Sequence, residues 1–314
     1  MNKPLSNTRY PANPTDAHIL VVEDNVSNFV LIARLLAFMG VQKCEWKTTG
    51  WGVVDFANTM PRVDLILMDL HLPHEDGYEA LRQIRADSNL RDTLVVVVTA
   101  YGSSEEMKKA REAGIPVVNV STRLDPKALA EIGCQNIPLV SVNNEQGAYL
   151  SAKALVADVK TPSKAMILEG IRQADSAEQR KQGARRAFAE NPAVSLVASE
   201  TANWKIDEAY DVTKKTLLAH PDISLIFAAN DMMALGAIKY LRDTEKKNVK
   251  VAGFDALTEA LQAIKAGEMA ATLDQQGDEQ GYQGVQYAVR LLKGETLPAE
   301  TLLEVKLITA DNVP

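Results

Sequence analysis

The sequence is poor in several features that would fix the class of a protein at once. Its 314 residues include only two cysteines, Cys44 and Cys134, which lie far apart and exclude both a disulfide framework and a CxxC metal site. We expect both to be thiols of the core. The longest apolar runs, such as TLVVVVTAYG, are strand-sized and fall well short of the roughly 18 residues that a membrane-spanning helix needs. The sequence therefore predicts no membrane partner.

An excess of positive charge is also absent. The net charge is -7, and no basic patch with interleaved aromatic residues occurs. This balance argues against a nucleic acid partner and against binding to anionic membrane surfaces. The first 17 residues, MNKPLSNTRYPANPTDA, contain no apolar segment of the kind found in signal peptides. We therefore expect the chain as written to stay in the cytoplasm.

The sequence does contain a regular alternation of short apolar runs with amphipathic helical stretches, in a chain long enough for about two domains. Apolar strands separated by helices indicate parallel sheets covered on both faces, which is an α/β doubly wound architecture. The final LLEVKLITADNVP predicts one last strand and a tail. Ligands of such sheets bind at the carboxyl ends of the strands, so the residues that follow each strand are the functional candidates. The strand candidates are 18–22, 64–69, 93–99, 115–120, 137–142, 164–170, 195–200, 224–229, 249–255 and 269–274.

Acidic or hydroxylic residues fall at strand ends in the first half. Glu23 and Asp24 follow the candidate strand 18–22, Asp69 ends the candidate strand 64–69 and Thr99 ends the candidate strand 93–99. Because these strand ends converge in a right-handed doubly wound sheet, we expect the carboxylates to lie close together. Carboxylates at such a distance repel one another unless a cation lies between them, and oxygen ligands suit Mg²⁺. One carboxylate facing solvent is then a candidate nucleophile toward a phosphoryl group. The alternative for each acidic residue alone is a solvated loop cap.

The acidic pair at 23–24, the stretch MDLHLPHEDG around Asp69 and the TA pair at 99–100 together resemble the receiver domain of bacterial response regulators. The resemblance runs over about residues 18–114. It implies that Asp69 is the phosphoacceptor and that the acidic pair holds Mg²⁺. It also implies that the backbone carbonyl of His71 completes the metal site.

Receivers also carry a Lys at the end of the fifth strand, whose ammonium pairs with the phosphoryl oxygens, and an aromatic residue three positions earlier. In this sequence those positions fall near Ser121 and Val118, so neither group is present. Arg123 and Lys127 lie slightly beyond and are the candidates for partial substitution. Without the cation the phosphorylated state loses charge stabilisation. We therefore expect a receiver-like half with a vestigial phosphoacceptor, Asp69, that phosphorylates and switches poorly.

From residue 115 to about 310 the sequence resembles the type I periplasmic binding proteins, in particular the ribose-binding-like sugar binders. The stretches that carry this resemblance include IPVVNVSTRLDPKAL, PDISLIFAANDMMALGAI, VKVAGFDA and MAATLDQQGDEQGYQGVQ. The resemblance implies two lobes, each built on a parallel sheet, joined by three crossings of the chain. It also implies that the family's first four βα units are replaced here by the receiver-like segment.

The same resemblance implies a sugar site. A sugar offers ring hydroxyls and an apolar ring face, which planar amides, carboxylates, guanidinium groups and an aromatic ring can bind. Trp204 would stack on the ring. Alternatively, Trp204 is a core residue, and Asn230 and Asp255 cap the helices that follow them. The polar contacts would come from Arg123, Asn144, Arg180, Asn230, Asp255 and Gln275.

The predicted fold is thus a two-lobed, periplasmic-binding-protein-like α/β architecture in which both lobes are doubly wound parallel sheets. The N-terminal lobe, residues 1–143 plus 276–303, is a receiver and binding-protein hybrid with strand order 2-1-3-4-5 and a junction near 114–115. The C-terminal lobe comprises residues 144–275 plus 304–314. Most of the sugar contacts expected from the N-terminal lobe are lost, because its first loop carries the receiver's acidic pair.

No linker occurs at the junction, so the two segments join within one lobe. We interpret the chain as a non-enzymatic chimera, engineered to test whether a flavodoxin-like fragment can replace part of a binding-protein lobe. No cofactor is required, residual binding of a small sugar or of Mg²⁺ is the most that we expect, and the chain should be a monomer or a weak dimer. Two alternatives stay open: a natural cytoplasmic sugar-sensing protein with a degenerate receiver lobe, and a working phosphoacceptor response regulator.

Overall fold

The computed structural model describes residues 13–70, 72, 77–97, 107–110, 117–134 and 136–314. The chain divides into two compact units, Met1–Lys109 and Ala110–Pro314. No helix among the described residues is both long enough and apolar enough to cross a membrane. The predicted junction near 114–115 lies outside the described residues, and the predicted lobe boundaries stay a prediction.

The first unit is a parallel sheet with helices between its strands. After a 3-10 turn at Pro14–Asp16, four strands pair in the order β2-β1-β3-β4, which confirms the first four places of the predicted order 2-1-3-4-5. The elements are β1 (His18–Val22), α1 (Val26–Phe38), β2 (Lys43–Lys47), α2 (Val53–Thr59), β3 (Leu65–Met68), α3 (Gly77–Ala86) and β4 (Leu94–Val97).

Both faces of this sheet are covered, because successive residues of β1 point to opposite sides and all of its inner residues are apolar. Leu20 belongs to a core with Ile84 of α3, whereas Val21 belongs to a second core with Leu36 of α1. Parallel strands buried on both sides explain why the sequence shows continuous apolar runs here rather than alternation.

The described residues of the second unit form two sheets. Its elements are β5 (Asn119–Val120), α4 (Pro126–Glu131), β6 (Leu139–Val142), α5 (Asn144–Leu155), β7 (Ser163–Glu169), α6 (Asp175–Ala189), β8 (Val194–Thr201), α7 (Ile206–Ala219), β9 (Ile223–Ala228), α8 (Asp231–Asp243), β10 (Lys250–Ala252), α9 (Thr258–Lys265), β11 (Ala271–Asp274), α10 (Gly277–Leu292), β12 (Glu300–Leu303) and β13 (Lys306–Thr309). The larger sheet has the order β13-β11-β10-β9-β7-β8 and the smaller one the order β12-β6-β5. The strand predicted as fifth, β5, thus pairs with β6 in the smaller sheet.

The predicted single last strand is wrong, because the chain forms two strands there. β12 pairs in parallel with β6 in the smaller sheet, and β13 pairs antiparallel with β11 in the larger one. The chain passes from one sheet to the other over two residues, Glu304 and Val305. The sequence alone does not mark this crossing, since apolar residues recur on both sides of it and neither glycine nor proline occurs there.

Close helix packing fixes the start of α5, which carries one of the predicted site residues. Gly183 of α6 lies so near α5 that a Cβ atom on it would be 2.1 Å from the carbonyl oxygen of Glu145. Only a glycine permits this approach. The contact sets α6 beside the amino end of α5 and so brings Arg180 next to Asn144.

Candidate functional site

The acidic residues of the first unit meet at the carboxyl end of its sheet. Glu23, Asp24 and Asp69 each offer a carboxylate oxygen, and these atoms lie within 4.8 Å of one another. Glu23 is buried and accepts hydrogen bonds from the backbone N–H of Asn25 at 3.1 Å and from Nδ2 of Asn28 at 3.2 Å. Three carboxylates at this spacing are the oxygen donors that Mg²⁺ prefers. The predicted partners Thr99 and His71 lie outside the described residues.

The fold positions Asp69 through its backbone and through a glycine. The Asp69 N–H donates to the carbonyl oxygen of Val22 at 2.9 Å, which ties the end of β3 to β1. Gly77 begins α3 directly against this loop, and a Cβ atom there would lie 2.7 Å from Cα of Leu70 and 2.8 Å from the Asp69 carbonyl oxygen. The glycine of the HEDG stretch is therefore required by close packing at the acidic site.

The second candidate site gathers around a buried guanidinium. Arg180 of α6 is 5% exposed, and its Nε donates to Oδ1 of Asn144 at 2.8 Å. Its Nη1 donates to the carbonyl oxygen of Ala229 at 2.9 Å and to Oδ1 of Asp255 at 3.3 Å, and its Nη2 donates to Oε1 of Gln275 at 3.3 Å. Four residues predicted from sequence, Asn144, Arg180, Asp255 and Gln275, thus form one cluster, which we call the Arg180 cluster.

The strand order explains why distant residues meet there. Ala229 follows β9, Asp255 follows β10 and Gln275 follows β11, and these three strands are neighbours in the larger sheet. Their carboxyl ends therefore open on the same edge. Nε2 of Gln275 also donates to Oδ1 of Asp255 at 2.8 Å, so the two acceptor groups are connected independently of the guanidinium.

Aromatic rings surround the same guanidinium. Cζ of Arg180 lies 3.7 Å from the ring centroid of Phe254 and 5.6 Å from that of Trp204. Phe254 is fully buried and was missed by the sequence analysis, although it directly precedes Asp255 in AGFDA. Trp204 is partly buried and packs so close to Gly170 that a Cβ atom there would lie 2.1 Å from the indole. Trp204 is thus packed against the core and also borders the cluster.

Asn230 caps the helix that follows it, which was the alternative to a sugar contact, whereas the Asp255 side chain does not act as a cap. Oδ1 of Asn230 accepts from the backbone N–H of Met233 at 3.0 Å and so caps α8. Its Nδ2 donates to the carbonyl oxygen of Trp204 at 3.4 Å, which places it beside the cluster. The carboxylate of Asp255 instead accepts hydrogen bonds from the side chains of Arg180 and Gln275.

Burial shifts the pKa values of the charged groups. Burial raises the pKa of Asp255 to about 6, although the neighbouring Arg180 acts in the opposite direction. Burial also lowers the pKa of Arg180 from its ordinary value, against the pull of Asp255. One guanidinium, two amides and a carboxylate with two aromatic rings supply paired donors and acceptors beside apolar faces, an arrangement that suits neighbouring hydroxyl groups.

Arg123 lies apart from the hydrogen bonds of this cluster. Its Nη2 forms an ion pair with Oε1 of Glu300 on β12, and its Nε lies 4.0 Å from Oδ2 of Asp175. These side chains line a pocket of about 240 Å³ that also includes Asn144 and Gln179. Asn144 therefore connects the pocket with the Arg180 cluster, while Arg123 is paired with an acidic residue of the chain itself.

Comparisons with known proteins match both parts of the chain. A model described as periplasmic binding protein domain matches residues 93–296, and one described as response regulator receiver domain matches residues 19–120. Residues 93–120 are matched by both, and the predicted junction near 114–115 lies within this overlap. Both resemblances inferred from the sequence are therefore confirmed.

Relatives with similar sequences are sugar-binding proteins by name. The D-ribose/D-allose-binding protein of Pseudomonas aeruginosa is 35% identical over 223 residues, which are 70% of this chain and 65% of that protein. The chain thus spans slightly less than two thirds of that relative. The ribose import binding protein of Escherichia coli is 30% identical over 225 residues, 71% of this chain and 73% of that protein.

Solved structures show the same fold. A periplasmic solute binding protein from Actinobacillus succinogenes with bound D-allose is 27% identical, with a TM-score of 0.68 over 94% of this chain and 98% of that one. The myo-inositol binding protein of Caulobacter is 24% identical, with a TM-score of 0.64 over 97% and 96% of the two chains. The chain, whose residues 19–120 match a response regulator receiver domain, belongs to the periplasmic binding protein family.

Proposed function

We propose that the chain is a non-enzymatic chimera that binds a small sugar weakly through the Arg180 cluster. The observation that carries this proposal is the convergence of Asn144, Asp255 and Gln275 on one buried guanidinium. Such a cluster is costly to bury unless each group has a partner. Sugar hydroxyls can replace or extend these partners, since each of the groups keeps further donor or acceptor capacity.

The chemical class of the ligand is a pentose, a hexose or a related polyol. Relatives are named for D-ribose and D-allose, and structures with the same fold hold D-allose or myo-inositol. These compounds share a ring of neighbouring hydroxyls with a partly apolar face. Trp204 borders the cluster and offers the flat surface on which such a face can stack.

Two features support weak binding. In the family, the loop after the first strand supplies several sugar contacts. In this chain the loop after β1 carries the acidic pair of the receiver domain instead. Arg123 is paired with Glu300, so a ligand must compete with an internal carboxylate for that guanidinium. Each missing or occupied contact removes part of the free energy that a complete site provides.

Calorimetric titration with D-ribose, D-allose and D-glucose tests the proposal. Arg180→Met should abolish any binding heat, because it removes the group on which the cluster converges. Arg186→Met is the matched control: it lies on the same helix, pairs with Glu145 on an exposed side, and should leave binding unchanged. Heat that is equal in both variants, or no heat with the wild-type chain, would contradict sugar binding at this site.

The engineered origin is also a proposal, supported by the overlap of the two family matches within residues 93–120. A natural cytoplasmic sugar sensor is the second candidate, and sugar affinity separates the two. Dissociation constants in the micromolar range would favour the natural sensor, because selection for sensing requires a complete site. Much weaker binding favours the chimera.

A residual Mg²⁺ site in the first unit is proposed as well, held by Glu23, Asp24 and Asp69. These residues hold three carboxylates together, and a bound Mg²⁺ would offset two of their three negative charges. Trp46 donates its indole N–H to the carbonyl oxygen of Glu23 at 2.8 Å, so its fluorescence can report binding there. Mg²⁺ should change this fluorescence, and Asp24→Asn should remove the change.

The control for this titration is Asp55→Asn, because Asp55 is an exposed acidic residue of α2. An equal response in both variants would contradict the assignment. Acetyl phosphate with Mg²⁺ should leave Asp69 unmodified, since the chain lacks the receiver's Lys at the end of the fifth strand. A phosphorylated Asp69 detected by mass spectrometry would instead support a working response regulator.

A further inference from the structure

Asp231 is a fully buried carboxylate beside the Arg180 cluster that the sequence analysis did not select. It begins α8, directly after Asn230, and its backbone N–H donates to the carbonyl oxygen of Phe254 at 2.7 Å. The residue is thus tied to the loop between β10 and α9. That loop contains Asp255, one of the predicted sugar contacts.

The side chain of Asp231 also forms hydrogen bonds that support the same loop. Its Oδ1 accepts from the hydroxyl of Thr272 at 2.7 Å, and its Oδ2 accepts from the backbone N–H of Leu257 at 2.9 Å. The Thr272 hydroxyl oxygen in turn accepts from the backbone N–H of Ala256 at 3.3 Å. Two successive backbone N–H groups of the loop, those of Ala256 and Leu257, therefore donate to a buried pair of side chains, Thr272 of β11 and Asp231 of α8.

The loop needs such support because two of its residues have an unfavourable backbone conformation. Asp255 has a φ of 122° and Ala256 a φ of 58°, both in the left-handed half of φ that L-residues other than glycine rarely adopt. Residues in this region persist where the surrounding structure fixes them. Gly253 completes the packing, since a Cβ atom there would lie 2.4 Å from Oδ1 of Asp231.

We propose that Asp231 and Thr272 are positioning residues for sugar binding: they hold residues 255–257 so that the Asp255 carboxylate faces Arg180 and Gln275. This inference rests on the proposed sugar site. Neither Asp231 nor Thr272 is proposed to touch the ligand. Both act through the backbone of the loop, which carries the contacting side chain.

Substitution of Thr272 tests the inference with little change in shape. Thr272→Val removes the hydroxyl and keeps the volume, whereas Thr272→Ser keeps the hydroxyl. The matched control is Thr213→Val, because Thr213 is also fully buried and its hydroxyl has no hydrogen-bond partner among the described residues. Thr272→Val should weaken sugar binding about tenfold, and Thr272→Ser and Thr213→Val should bind like the wild-type chain.

Titration of the Asp255 carboxyl by carbon NMR gives a readout that needs no sugar. In Thr272→Val the freed loop should expose Asp255, and its pKa should fall toward the ordinary value. An unchanged Asp255 titration in this variant overturns the inference. A wild-type chain that binds no sugar contradicts the proposed function instead, so the two failures are distinguishable.

Amide hydrogen exchange of the wild-type chain tests the inference without any variant. The N–H groups of Ala256 and Leu257 should exchange slowly, because Thr272 and Asp231 accept from them. Exchange of both amides at the rate of free peptide would overturn the proposal, even if Thr272→Val failed to fold.

Discussion

Replacing Asp231 by asparagine should remove a pH dependence of the unfolding free energy that the wild-type chain carries. Burial raises the pKa of Asp231 from 3.8 to about 7, with the hydrogen bonds from Thr272 and Leu257 acting in the opposite direction. The folded chain therefore holds this proton more tightly than the unfolded chain. The resulting stabilisation is complete below the unfolded pKa and is lost as the pH rises through 7.

The size of this pH dependence follows from the size of the pKa shift of Asp231. At about 1.36 kcal/mol for each pKa unit, a rise from 3.8 to about 7 corresponds to about 4 kcal/mol in total. Most of it, about 3 kcal/mol, is lost between pH 5 and pH 8. For a unit of this size, 3 kcal/mol corresponds to a change in Tm of roughly 6–12 °C. The amide of the substituted asparagine does not titrate, so the variant lacks this loss.

Urea unfolding of wild type and Asp231→Asn at pH 5, 6, 7 and 8 measures the difference. Trp204 is the only tryptophan after residue 109, so a background with Trp46→Phe and Trp51→Phe reports the second unit alone. Any constant offset from the altered hydrogen bond cancels when the two pH profiles are subtracted. Titrating groups that do not interact with Asp231 cancel as well, since both chains contain them.

Asp255 and Arg180 are the charged neighbours of Asp231, and both remain in the variant. The wild-type unfolding free energy should therefore fall relative to that of Asp231→Asn by about 3 kcal/mol from pH 5 to pH 8. Parallel profiles, or a difference of the opposite sign, would show that Asp231 is not a buried carboxyl stabilised in its protonated form.

Two further predictions concern the sugar site. Gly170→Ala places a methyl group where the Trp204 indole lies, so it should displace the ring, change its fluorescence and weaken sugar binding at least tenfold; Gly281→Ala, with open space around it, is the control and should change neither. Glu300→Gln releases the guanidinium of Arg123 from its internal carboxylate, so calorimetry should show sugar affinity raised severalfold. Unchanged binding in Gly170→Ala would contradict the placement of the indole at the site. Unchanged binding in Glu300→Gln would show that the ion pair does not compete with the ligand.

The residues of the Arg180 cluster could be predicted from sequence because the resemblance to the sugar-binding family implies them, and strand order explains why two of them meet. Asp255 and Gln275 each come directly after an apolar run, and the carboxyl ends of parallel strands share one edge. The same resemblance selected Arg180 and Asn144, and the close packing of α6 against α5 brings these two side chains together.

Other contacts depend on packing that sequence patterns do not reveal. Arg123 and Glu300 are 177 positions apart, and they meet because β12 pairs with β6 beside β5. Asp231 and Thr272 are 41 positions apart and are joined by one buried hydrogen bond. An acidic residue after an asparagine cap carries no sequence signal of burial, so only the structure shows how the 255–257 loop is supported.

Hydrogen exchange of the whole chain with and without a saturating concentration of D-ribose shows whether a sugar site is present and where it lies. Sugar should slow exchange in the segments that form the Arg180 cluster, around residues 144, 180, 229–231, 255–257 and 275, and leave residues 13–97 unchanged. Protection confined to residues 13–97, or no protection in any segment, would contradict the claim that the periplasmic-binding-protein part of this chain keeps a sugar site.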